Sequence, residues 1–168
     1  MIGIFRLLLI LVALAVLDTA RADQSGLDFR QGGGWGIKEW SMQTSLYTAH
    51  FDSEPYHVNE QNLIGIEAYW SDQLLAGIAL FDNSFGQSSQ LVYAGKTWPL
   101  LGARHWYAKL TGGLVHGYKE PYEDKIPLNG LGVAPVVIPA LGFRYGYFVA
   151  EANLGGLAVV MVTAGLRF

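Results

Sequence analysis

Cysteine is absent from the 168 residues, so the chain has no disulfide framework and no thiolate metal site. Charge is sparse and nearly balanced: 11 Lys and Arg against 14 Asp and Glu leave −3. No basic cluster appears, which removes nucleic acid from the expected partners. Long apolar runs are also missing, except near the N-terminus. There Arg6 precedes the run Leu7–Leu17, and Ala20-Arg21-Ala22 fits the small-x-small pattern of a cleavage site. The run is shorter than the roughly 20 apolar residues a membrane-spanning helix needs. The expected organisation is a signal peptide over 1–22, a periplasmic lead-in over 23–39 and one domain over 40–168. The lead-in contains Gly32-Gly33-Gly34, a poor helix interior, and reads as irregular.

What the chain does have is 51% hydrophobic residues, 13% aromatics and 21 glycines. High apolar content without spanning helices suits a barrel whose strands carry two apolar faces. Alternation is plainest at the C-terminus. Ala158, Val160, Val162, Ala164, Leu166 and Phe168 form one set, and Leu157, Val159, Met161, Thr163, Gly165 and Arg167 the other. A period of two is a strand signal. Turn signals divide the domain into eight segments: Trp40–His50, Gln61–Ser71, Gln73–Ser84, Ser88–Trp98, Arg104–Gly117, Leu131–Gly146, Tyr147–Gly156 and Leu157–Phe168. Each is close to the 9–11 residues of a tilted transmembrane strand, the sixth running longer.

The expectation is an all-β fold, an eight-stranded antiparallel transmembrane β-barrel of the outer-membrane type. A soluble eight-stranded binding barrel is the alternative. With both ends of the domain on the periplasmic side, the longer loops Phe51–Glu60 and Tyr118–Gly130 fall outside. Trp70, Trp98 and Trp106 fall near the periplasmic ends, as an aromatic girdle would.

The fifth segment assigns Trp106, Ala108, Leu110, Gly112 and Leu114 to lipid. Its inward face, His105 to Val115, passes from polar to apolar. Glu67, Arg144, Glu151 and Arg167 are expected to pair across the lower lumen, as buried charges must. Val115, Ala134, Val136, Ile138, Val159 and Met161 would line a greasy upper lumen. Gly77, Ala79, Gly113, Ala134, Ala140 and Gly142 are expected to leave space in it. A fully packed lumen is the other reading, since narrow barrels fill themselves. Pro135 and Pro139 each remove a ladder donor from the sixth strand. They either open a lateral passage for a lipid chain or only shape a strand end.

The topology puts His50 at the outer end of the first strand and Phe81-Asp82-Asn83-Ser84 at that of the third. Ends two strands apart are roughly 10 Å apart before side chains reach inward. A histidine, a serine and a carboxylate over a greasy pocket are a candidate acyl-transfer constellation: His50 can take a proton near neutral pH, and Ser84 can donate a hydroxyl. His57, His105 and His116 read as loop, girdle and strand-end residues. No metal-ligand spacing, phosphate loop or nucleophile elbow is present, and no cofactor is expected.

His50, Phe81-Asp82-Asn83-Ser84-Phe85, Gly95, Gly112-Gly113, Ile126-Pro127-Leu128, Val133–Gly146 and Gly165-Leu166-Arg167-Phe168 together resemble, in order and spacing, the PagP family of outer-membrane lipid A palmitoyltransferases. The resemblance covers most of the domain. It implies movement of a palmitoyl or similar chain from a glycerophospholipid to lipid A in the outer leaflet, by a monomer without cofactor. It implies essential roles for His50 and Ser84, and a place for Gly95 at the floor of the acyl-chain pocket. Two features depart from the family pattern: Asn83 stands where the family has an acid, with Asp82 one position earlier, and the family's N-terminal amphipathic helix has no clear equivalent before Trp40. Asp82 faces away from its neighbour unless a bulge re-aims it. Lys119 and Lys125, in the long outer loop, are candidates for lipid A phosphates by charge alone. A lipid A deacylase barrel and a non-catalytic structural or adhesive barrel are the rival functions. The last two segments hold neither histidine nor serine, which counts against the deacylase.

Overall fold

The first alternating segment begins one residue earlier than its pattern suggests, at Glu39, because the Glu39 carboxylate is used inside the sheet. The computed structural model describes residues 36–51, 62–70, 73–156 and 159–168. The proposed signal peptide, most of the lead-in, His57 and Leu157 lie outside the described residues. The strands are β1 (Glu39–His50), β2 (Leu63–Tyr69), β3 (Leu74–Asp82), β4 (Ser88–Pro99), β5 (Trp106–His116), β6 (Val133–Tyr145), β7 (Phe148–Gly155) and β8 (Val159–Arg167). They form a closed barrel in sequence order, every neighbouring pair antiparallel and β8 returning to β1. Closure pairs each strand on both sides over at least part of its length.

All eight sequence segments are present, with ends trimmed by a few residues. Arg104 and His105 drop out of β5 because a turn claims them: Leu100 N–H bonds to Trp106 O, and Trp106 N–H to Ala103 O. The rim carrying His50 is called upper here, and the rim carrying Arg167 lower. β1 ends and β2 begins at the upper rim, where the connections at 83–87 and 117–132 also lie, and the connections at 100–105 and 146–147 are lower.

Outward positions are apolar and exposed, among them Met42, Leu46, Ile64, Ile78, Leu80, Val92, Leu114, Val137 and Leu166. Trp40, Trp106, Tyr145, Tyr147 and Phe148 stand exposed toward the lower rim. Ala108 alone of the outward β5 set is covered, between Trp98 and Leu141 across its two ladders.

The lower lumen is a charged plug. Lys109 Nζ bonds Glu67 Oε1 at 2.5 Å and Glu151 Oε2 at 2.8 Å. Three phenols donate to the same carboxylates: Tyr69 to Glu67 at 2.6 Å, Tyr93 to Glu67 at 2.8 Å, Tyr107 to Glu151 at 2.7 Å. One layer lower, Glu39 receives both Nη atoms of Arg144, at 3.0 and 2.6 Å, and Nε of Arg167 at 2.8 Å. Such buried ions persist only when paired and hydrogen-bonded. Two glycines make the plug possible. A Cβ on Gly77 would sit 2.7 Å from the Tyr93 ring, and one on Gly142 would sit 2.1 Å from the Tyr107 ring. These glycines therefore hold aromatic rings rather than empty space, which corrects the expectation for them. The vacant volume lies higher, beside Ala79.

Candidate active site

Strict alternation along β1 from Ser41 and Gln43, both buried, would turn Ala49 inward and His50 outward. The register instead slips between Ser45 and Tyr47 in the pairing with β8. A bulge adds one unpaired residue and reverses the inside–outside phase beyond it. Leu46 and Tyr47 are consequently both exposed, and Thr48 is buried. His50, two residues on, borders the lumen.

Ser84 reaches the same place from the turn after β3. That turn is organised by Asn83, which is 1% exposed. Its Oδ1 accepts the backbone N–H groups of Phe85 and Gln87, each at 3.0 Å, and its own N–H bonds Gln87 O at 2.9 Å. Gly86, at φ +72°, supplies the left-handed position the turn requires. The result is a 2.8 Å contact between His50 Nε2 and Ser84 Oγ. The hydroxyl donates when the ring proton sits on Nδ1.

Asp82 is not brought into this pair. The β3 register runs unbroken against both β2 and β4, so no bulge re-aims it. It receives a hydrogen bond from Asn62 at 3.5 Å, on the face opposite Phe81, which lines the lumen. Asn83 supports Ser84 through the backbone. Asn83→Ala would leave two N–H groups without their acceptor, a cost of about 1–3 kcal/mol. Amide exchange at Phe85 and Gln87 should then speed up about tenfold or more, whereas Asn83→Asp, which keeps the accepting oxygen, should leave it near its original rate.

Below the pair lies a cavity of about 640 Å³. Leu63, Ala79, Phe81, Leu91, Val115, Val136, Ile138, Val159 and Met161 line its upper part, and Glu67, Tyr93, Lys109, Glu151 and Thr163 its base. Ala134, expected on the wall, is instead fully buried, packed with the lining residues Ala79, Leu91 and Val115. Gly95 is not on the wall either. It follows Tyr93 by one pleat toward the lower rim, and the Tyr93 ring, held by Glu67, ends the cavity above it. A Cβ at Gly95 would lie 2.2 Å from the Leu110 carbonyl oxygen, so this glycine serves close contact between β4 and β5. Tyr93 is the residue sequence reasoning missed. Its signal was an inward position shared with Leu91 and Gly95 but occupied by a ring.

Among the described residues, ladder pairing is interrupted on two sides of the cavity. Pairing of β6 with β7 stops at Ala140↔Asn153, leaving Val133–Pro139 bonded to β5 alone. Arg144 N–H points to β5, bonding His105 O at 2.8 Å. Alternation through the unbroken β5–β6 register therefore aims the nitrogens of Pro135 and Pro139 toward β7. Both prolines thus cost β5 no hydrogen bond and deny β7 a donor, the role proline takes at a strand edge. Val137, outward and 64% exposed, nevertheless borders the cavity, as do Gly155 and Gly156 across the seam. On the other side, β1–β2 pairing stops at Thr44↔Ile64, and Ser45 Oγ takes the Leu63 N–H at 3.0 Å.

The loop after β5 forms part of the mouth. Tyr118, Lys125, Ile126 and Pro127 border the cavity, and burial pushes the Tyr118 phenol up, keeping it neutral. Phe85 stacks on Tyr122 at 4.2 Å, and Gln87 bonds both the N–H and the carbonyl of Lys119. These contacts clamp the loop bearing Ser84 to the loop bearing Lys125. The Lys119 side chain is exposed; Lys125 is also exposed but stands at the opening. His116 is exposed at the end of β5 and, by alternation, faces outward. His105 packs at the lower rim against Phe143 and Tyr145. No protein-family model and no curated protein matches this chain.

Proposed function

We propose that the chain is an outer-membrane acyltransferase of the PagP type, moving a fatty acyl chain from a glycerophospholipid to lipid A. The observation that carries this reading is the His50–Ser84 pair set over a deep apolar cavity in the barrel lumen. An exposed apolar belt around a closed barrel, with aromatics toward one rim, supports insertion in a bilayer. The lower rim then faces the periplasm, and the cavity opens toward the outer leaflet. The unpaired seam at Pro135 and Pro139 supports lateral entry of the donor's chain.

In this reading the acyl chain lies in the cavity with its ester carbonyl at the mouth. His50 Nε2 removes the proton of a lipid A hydroxyl as that oxygen attacks the carbonyl carbon. The new ester bond forms, the bond to the glycerol oxygen breaks, and the proton passes from His50 to that oxygen. The products are acylated lipid A and a lysophospholipid. Ser84 holds the imidazole and can donate to the developing oxyanion. Placing two lipids in register in a dry site supplies the remaining advantage through orientation. Lys125 at the mouth suits a phosphate of the acceptor.

Reconstituted into vesicles of phospholipid and lipid A, the protein should raise the mass of lipid A by one acyl group and release lysophospholipid in equal amount. Release of free fatty acid alone would make it a hydrolase, and no change would end the enzyme reading. Chain length provides a further test. Tyr93→Ala should deepen the cavity by up to one pleat, about 6.6 Å of strand. The dominant chain on product lipid A should lengthen accordingly, read by mass spectrometry. An unchanged chain would remove Tyr93 as the floor.

A further inference from the structure

The lower rim holds a second cavity, of about 610 Å³, which the acyl-transfer reading does not use. It sits between the β4–β5 turn and the β6–β7 turn, below the charged plug. Its wall carries three guanidinium groups, Arg104, Arg144 and Arg167, together with His105. Glu39 is the carboxylate they share: it takes the ion pairs of both Arg144 and Arg167. Three guanidinium groups thus gather on one wall of the cavity, and Glu39 stands behind two of them. Arg167 is 2% exposed, and its guanidinium also lies 3.5 Å over the Tyr69 ring.

Arg104 differs from the other two. It stands exposed on the turn and makes no hydrogen bond or ion pair with any of the described residues. On the inner wall, the buried Thr97 hydroxyl likewise finds no hydrogen-bond partner among them. Pro99, Leu100, Ala103 and Trp106 make the remaining surface apolar. A cavity walled by three guanidinium groups, with an unengaged arginine at its lip, an unsatisfied hydroxyl inside and an apolar side, favours an anion carried on an apolar body.

We propose that this vestibule binds a phosphate group, with Arg104 as the residue that closes on it. The phosphate can come from a phospholipid headgroup of the inner leaflet, whose chains would meet Leu100 and Trp106, or from free phosphate.

The test is a titration of the full chain, folded in a nonionic, phosphate-free detergent, followed by the arginine Nε–Hε NMR signals. Inorganic phosphate and dihexanoylphosphatidylglycerol are added separately. Saturable shifts at Arg104 and Arg144 with either probe support the site. The lipid binding about tenfold more tightly than phosphate identifies a headgroup site; equal affinities identify a free-anion site. Arg104→Gln should weaken either probe about tenfold and leave acyl transfer unchanged. Absence of saturable shifts with both probes overturns the proposal, as does binding that Arg104→Gln does not weaken. Because the acyl-transfer assay reads the upper rim, its failure would leave this titration interpretable.

Discussion

Replacing His50 by alanine is expected to lower acyl transfer to lipid A by about 10²–10⁴-fold, the usual contribution of a positioned general base. The barrel should remain folded, because His50 is the last residue of β1, part-buried at the rim, and its backbone partner Val159 is unaffected. Ser84→Ala should cost less, since in the proposed mechanism the serine acts on the imidazole and the oxyanion rather than as a covalent carrier. The pair shares one 2.8 Å contact. The double variant should therefore lose little beyond His50→Ala, the non-additivity expected of groups that act as a unit. Lipid A mass spectra from cells carrying each variant, at matched amounts of folded protein, give the answer. Equal acylation by wild type and His50→Ala would remove the imidazole from the mechanism.

The largest stability effect is expected at Lys109. Its ammonium lies between Glu67 and Glu151 in the floor of the cavity, and all three are nearly inaccessible. Lys109→Met would leave two carboxylates facing each other across the lumen with no cation between them. Removing one partner of a buried ion pair costs about 3–5 kcal/mol, because the other charge stays buried and unanswered. Urea unfolding in a fixed detergent should show that loss. The triple variant Lys109→Met, Glu67→Gln, Glu151→Gln should recover most of it, since the uncompensated charges go with the cation. A single variant as stable as wild type would mean that the three tyrosines, which also bond these carboxylates, suffice to hold them.

Much of this architecture was legible in the sequence because a two-residue period runs through long stretches of the strands, the bulge in β1 being the exception that matters. The charged lower lumen and oily upper lumen followed from sorting each strand into its two faces. What escaped was local. Glu39 looked like part of an irregular lead-in, since nothing in its neighbours shows that two arginines over a hundred residues away share its carboxylate. Gly95 was placed at the pocket floor by resemblance, while the ring two residues before it ends the cavity. Gly77 and Gly142 read as vacancies because a sequence does not say which ring from another strand will lie on a glycine. Neither acidic candidate from the sequence joins the His50–Ser84 contact: Asp82 faces outward, and Asn83 serves the turn.

The bulge at Leu46 has a consequence for how chains of this kind are to be compared. A histidine at the end of a strand is functional only if the count of residues below it has the right parity. Two chains with the same amino acids in β1, one of them a residue shorter, would both satisfy a composition or motif search. Yet one would carry its imidazole in the lumen and the other on the outer face of the barrel. Homology across such barrels is thus a question of phase. An alignment that spends a free one-residue gap in this strand has exchanged the inside of the protein for the outside.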